Sequence, residues 1–152
     1  MKKIRLDGAL MLLFTLITLS FTTSGFTNRF GLDSYEIYLN NRLLMKQYVN
    51  QPLNLRVLQL EKTQQNDKLQ IAYTHCINKG TGTGRAVALK DENGNTLHKW
   101  SFTNAAGSGP KMTIAVKDLL QLQKKNPGHE LSLYYTAHEL PKGEMISMIR
   151  FK

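Results

Sequence analysis

The chain predicts an all-β fold: an antiparallel β-sandwich, immunoglobulin-like or jelly-roll-like, with about nine short strands and one short helix near 118–125. Three observations carry this. Apolar and polar residues alternate with period two along most of the chain beyond residue 26. Clusters of Asn, Asp, Gly and Pro interrupt the alternation at short intervals. Only one stretch has helical spacing, whereas βαβ units need helices between successive strands.

The elements follow in order. In SYEIYLNNRLLMKQYV, Tyr35, Ile37 and Leu39 alternate, and Asn40–Asn41–Arg42 supplies a hairpin turn, because asparagine tolerates the left-handed backbone of tight turns. Pro52 opens PLNLRVLQL, where Leu53, Leu55 and Val57 are expected on one face. EKTQQND is a polar turn. In KLQIAYTHC, alternation puts Leu69, Ile71, Tyr73 and His75 on one face, and Gln70, Ala72, Thr74 and Cys76 on the other.

RAVALK and NTLHKWSF flank DENG, whose Asn93–Gly94 pair is a hairpin signal. His98, Trp100 and Phe102 share a face read as core. TNAAGSGP is a loop of small residues, and KMTIAV alternates Met112, Ile114 and Val116. KDLLQLQKK is the helix, with Asp118 as its N-cap and Pro127–Gly128 beyond its end. ELSLYYTAHEL and EMISMIRF form a last hairpin about the turn PKGE, with Tyr134 and Tyr135 facing opposite ways.

The N-terminal stretch differs from all of this. Lys2, Lys3 and Arg5 precede a 13-residue, mostly apolar run from Ala9 to Phe21, and Thr22, Thr23, Ser24 and Gly25 follow. This is the pattern of a secretory signal peptide, expected over 1–25 with a cut after Ser24 or Gly25. A membrane-spanning helix needs about 20 apolar residues, so the run is short for an anchor. The expected location is therefore exported: periplasmic, extracellular or at the cell surface. Residues 26–152 are expected to form a single β-sandwich domain, long enough for one core and without a transmembrane segment.

The formal charge is +9, and taking away the leader with Lys2, Lys3, Arg5 and Asp7 leaves +7. Such a surface favours anionic partners or simply solubility. Lys124–Lys125 is the densest cationic run beyond the leader, so no nucleic-acid arm is expected. The single cysteine forms no internal disulfide, which points to a bacterial envelope context or an intermolecular use and argues against a disulfide-stapled scaffold.

HCINKGTGTGR, residues 75–85, is the most conspicuous candidate for chemistry. A thiol nucleophile needs a base within hydrogen-bond reach, but strand parity sends His75 and Cys76 to opposite faces. Cys76 is thus a candidate reactive thiol without an adjacent base. Gly80, Gly82 and Gly84 match neither phosphate-loop spacing, and a strand follows instead of a helix. What remains is a loop flanked by two cations, with Lys79 and Arg85 as candidate ligands for an anion.

His75, His98, His129 and His138 form no i, i+2 or i, i+4 pair, so no metal site is expected. In DENG, the position where a calcium loop closes with glutamate holds Phe102. GSG at Gly107–Gly109 lacks the frame of a nucleophile elbow. Neither catalytic residues nor a cofactor are expected.

The leader, with YEIYLNNRLLMKQYV, LQIAYTHCINKGTGTGR and LSLYYTAHELPKGEM, resembles small exported β-rich proteins of Gram-negative envelopes that carry no assigned activity. The resemblance covers most of the chain beyond the leader. It implies a location and a fold class, and it transfers no functional residues. The expected function is a non-enzymatic protein-binding or structural accessory module of the bacterial cell envelope, partnered by another envelope protein. The alternative is a basic module for an anionic glycan or lipid headgroup, working through Lys79 and Arg85. The third reading is a thiol-dependent enzyme using Cys76.

Overall fold

A computed structural model describes residues 32–60, 64–76, 80, 82–104 and 111–151. The signal peptide expected over 1–25 lies outside these residues, as does Lys79. The described chain is an all-β sandwich of nine strands with one helix. The strands are β1 (Ser34–Leu39), β2 (Arg42–Tyr48), β3 (Val57–Leu60), β4 (Lys68–Thr74), β5 (Ala86–Lys90), β6 (Thr96–Ser101), β7 (Met112–Ala115), β8 (Leu131–Ala137) and β9 (Leu140–Phe151). Helix α1 (Val116–Lys125) joins β7 to β8. One sheet has the order β2-β1-β4-β7 and the other β3-β9-β8-β5-β6. All neighbours run antiparallel except β3 and β9, which are parallel.

Alternation builds a single core. Tyr35 and Ile37 of β1, Leu69, Ile71 and Tyr73 of β4, and Met112 and Ile114 of β7 are buried in the four-stranded sheet. They meet Leu58, Leu60, Val87, Leu89, Leu131, Leu133 and Tyr135 of the other sheet. The rings of Tyr73 and Tyr135 stack across the sandwich with centroids 3.9 Å apart. Burying a side chain of this size contributes about 1.5–3 kcal/mol.

The two asparagine-based turns form as expected. Asn40 and Asn41 take φ of 49° and 68°, and the Asn40 carboxamide binds Asp67 and the Lys68 N–H, tying the β1–β2 turn to the start of β4. In the β5–β6 turn the Asp91 carboxylate accepts the N–H groups of Asn93 and Asn95. A bond from the Asn95 carboxamide, helped by these two, holds Asp91 below the usual carboxylate range.

Four expectations are corrected. First, Leu53–Leu55 is a 3-10 turn, and Leu58 and Leu60 point inward from β3 in place of Leu53, Leu55 and Val57. Arg56 sets this parity. It is buried, donates to the Glu144 carboxylate at 2.6 Å, to Met145 O at 2.7 Å and to Gln51 O at 3.0 Å, and also bonds Val49 O. Its inward direction carries Leu58 and Leu60 with it and leaves Leu53 and Leu55 exposed.

Second, the last hairpin turns at His138–Glu139, and PKGE lies within β9. His138 N–H donates to Thr83 O, so contact with the glycine loop fixes the turn there. Pro141 is tolerated because β3 pairs with β9 only from Met148 onward.

Third, β7 runs straight into α1, whose N-cap is Ala115, and Asp118 stands in the first turn with no capping bond. The Val116 N–H is taken by Asp67 O, and the carboxylate of Asp118 still lies at the positive end of the helix.

Fourth, Trp100 and Phe102 pack against the core, whereas His98 is exposed, because β6 is an edge strand and the ladder with β5 shifts register between Leu89 and Lys90.

Candidate functional site

Besides the buried Arg56 site, two regions of the described chain depart from the rule of apolar inside and polar outside. The first is a polar cluster at the end of the sandwich where β1 begins and β4 ends. Parity buries His75 beside Tyr73, as the strand pattern requires. Asp33, just before β1, receives three bonds: from Tyr73 OH at 3.0 Å, from the Cys76 N–H at 2.8 Å, and through its contact with His75 Nδ1 at 3.1 Å. His75 Nε2 lies 3.0 Å from Tyr135 OH. A neutral imidazole carrying its proton on Nδ1 satisfies both neighbours, donating to Asp33 and accepting from Tyr135.

The glycine loop closes over this cluster. His75 N–H donates to Gly80 O, Thr83 N–H and Oγ1 donate to the Glu139 carboxylate, and Gly84 N–H donates to Asn104 Oδ1. Gly82 has φ +76°, and a Cβ there would stand 2.6 Å from His75 Nε2, 2.9 Å from Tyr135 OH and 3.0 Å from Glu139 Oε2. A Cβ on Gly84 would strike the His138 ring at 2.5 Å. Gly82 thus lets backbone lie directly on the buried His75–Tyr135 pair, and Gly84 lets it lie on the exposed His138 ring. The Thr83 N–H bond holds Glu139 below the usual carboxylate range.

The order carboxylate, imidazole, hydroxyl is that of a nucleophile relay, but the chemistry here runs the other way. Burial pushes the Tyr135 and Tyr73 phenols well above their ordinary value, which disfavours a phenolate. The backbone of Gly82 also occupies the approach to His75 Nε2. The cluster is arranged to hold a loop against two sheets.

The residues singled out from the sequence are dispersed around it. Cys76 is half-buried and free of disulfides, and its backbone serves Asp33. Arg85 is buried, with its guanidinium donating to Thr103 O at 2.7 Å, so it faces the interior and not a solvent-borne anion. Sequence reasoning missed Asp33, Tyr135, Glu139 and Arg56, whose partners are far away along the chain. A half-open cleft of about 310 Å³ between β6 and α1 is lined by His98, Asp118, Gln121, Leu122 and Lys125. Its one carboxylate and one ammonium balance, leaving no sign of charge to select a ligand. Among the described residues no group of three metal-ligating side chains occurs, and no helix is long and apolar enough to cross a membrane.

The second region is the outer edge of the four-stranded sheet. Among the described residues β2 pairs only with β1. It exposes Leu43, Leu44 and Tyr48, and the turn that follows exposes Leu53 and Leu55. Each of these side chains is between 38 % and 56 % accessible, an unusual share for large apolar groups on one strand and its continuation. Comparison with protein-family models, with curated proteins and with solved structures finds no match for this chain.

Proposed function

We propose that this chain is a non-enzymatic, exported protein-binding module of the bacterial envelope that docks through the β2 side of its sandwich. The carrying observation is the set of exposed apolar residues Leu43, Leu44, Tyr48, Leu53 and Leu55. Large apolar groups gathered on one edge mark interaction surfaces, because hiding them from water stabilises the complex by about 25 cal/mol per Å². The closed polar cluster supports the same reading from the other side, since its polar groups are committed to one another. The leader-like segment and the +7 charge of the chain beyond it suit an exported protein with an anionic neighbourhood.

Photo-crosslinking amino acids placed at Leu43, Leu53 and Asn93 in the living cell test this. Asn93, in the β5–β6 turn, is the control. One protein adduct shared by Leu43 and Leu53 and missing at Asn93 is the expected result. No protein adduct at either leucine, or the same pattern at all three positions, rejects the proposal.

A further inference from the structure

The four sheet edges are protected unequally. β3 and β7 have four residues each, and β7 runs directly into α1. The exposed residues of β6 are Thr96, His98, Lys99 and Ser101, all polar; one register shift occurs in its ladder and one in that of β2, so side chains and length set the two edges apart. Short length, polar side chains and irregularities are the usual means of blocking an edge. β2 has seven residues and three exposed large apolar side chains.

The backbone of β2 is also oriented for a partner. Val49 N–H donates to Asp33 O at 3.1 Å. Bonded and non-bonded pairs alternate along an antiparallel ladder. The pairs Tyr35–Gln47 and Ile37–Met45 are therefore the bonded ones, and Glu36–Lys46 and Ser34–Tyr48 are not. It follows that Lys46 turns its N–H and C=O, and Tyr48 its N–H, away from β1, towards the open side, while Tyr48 O accepts the Gln51 N–H at 3.1 Å.

Charge selects the occupant. β2 carries Arg42 and Lys46 and no acid; Lys46 is paired with Glu36 of β1 at 2.8 Å, so Arg42 is the cation that β2 adds to the edge, on a chain whose formal charge beyond the leader is +7. A second copy would bring the same Arg42 to the same edge, and like charges across strands are destabilising. An acidic strand meets the opposite condition. We infer that β2 is a strand-addition site, filled by an extended, acidic, apolar-alternating segment of another protein that bonds to Lys46 and Tyr48 along the backbone. This deepens the protein-binding reading above and rests on it.

The probe is a synthetic peptide of alternating valine and glutamate, eight residues long, with its valine–lysine counterpart as control. Binding is followed by titration and by amide exchange at Lys46 and Tyr48. The glutamate peptide is expected to bind about tenfold or more tightly than the lysine peptide at low salt, and to slow exchange at both amides. Lys46→Pro removes one outward N–H without breaking the β1 ladder, and is expected to weaken the glutamate peptide about tenfold relative to Lys46→Ala.

Equal affinity for the two peptides, or binding without slowed exchange at Lys46 and Tyr48, overturns strand addition. The exchange measurement on the unaltered protein holds even if Lys46→Pro fails to fold. Slow exchange at both amides in the protein without peptide also overturns it: a monomer then shows that the chain's own N-terminal residues fill the edge, and a dimer that a second copy does. If peptide binding fails while Leu43 and Leu53 still crosslink to one protein, strand addition falls and the protein-binding reading stands. If both fail, both fall.

Discussion

At one end of the sandwich Asp33, His75, Tyr73 and Tyr135 are polar groups placed inside and bonded to one another. Along β2, Leu43, Leu44 and Tyr48 are apolar groups placed outside with little to cover them. The two regions meet at β1, since Asp33 precedes β1 and β1 is the neighbour of β2, while Tyr135 of β8 ties the first to the opposite sheet. The first is complete by itself, because each donor has found an acceptor and a loop has closed over the pair. The second is complete only if something else supplies apolar surface and backbone partners. A polar residue inside a protein is therefore not by itself the mark of a working site, and the protein-binding proposal rests on the exposed leucines and not on the buried histidine.

The comparison breaks most visibly where burial is deepest. Arg56→Ala is expected to destabilise the fold by about 3–5 kcal/mol, because it strands Glu144 and frees three backbone carbonyls near the sheet junction. Urea unfolding measures it. Gly82→Ala follows, at about 1–3 kcal/mol, since the new Cβ meets His75 and Tyr135 in a backbone region that alanine disfavours. A retained His75 imidazole signal with unchanged stability would show that the loop does not press on the cluster.

Alkali gives a finer view of the buried tyrosines. Burial pushes the Tyr35 phenol up from 10.0 to about 12, and Tyr73 and Tyr135 higher still. The folded form then binds protons that the unfolded form has released. Stability from these groups is complete below pH 10 and falls as the pH rises from 10 towards 12 and beyond. Absorbance of the buried tyrosinates and far-ultraviolet dichroism are expected to change together.

On the acid side Glu139 is held below its ordinary 4.5, so its contribution is present above that value and fades as the pH falls through its lowered one. Glu139→Gln is expected to flatten stability there by a small margin, read from unfolding midpoints at successive pH values. The smallest stability effects belong to the edge. Leu43→Ser and Leu53→Ser are expected to change stability by no more than about 0.5 kcal/mol, while reducing partner capture, a split that buried positions do not show.

The strand pattern was legible because alternation is a local property. Leu69, Ile71, Tyr73 and His75 share one face whatever the rest of the chain does, and Asn40–Asn41 and Asn93–Gly94 turn the backbone through their own conformational freedom. The reading failed where a distant partner decides. Nothing near Arg56 announces that Glu144 and Met145 pull it inward, so the parity of β3 came out reversed. The turn of the last hairpin falls at His138–Glu139 because Thr83 waits there, not at the PKGE that local turn chemistry favours.

HCINKGTGTGR shows the same division. Its parity, and hence the separation of His75 from Cys76, is written in period two. That its glycines exist to lay backbone on His75 and His138 is not, because Tyr135, Glu139 and His138 are more than fifty residues away along the chain. The exposure of β2 belongs to the second kind as well. RLLMKQY has a strand's composition in any setting, and only the order of strands in the sheet leaves it at an edge. Periodicity acts over a few residues and chooses the element and its faces. Which face meets which partner, and which strand is left without one, is decided by packing between segments that the chain's order does not place side by side.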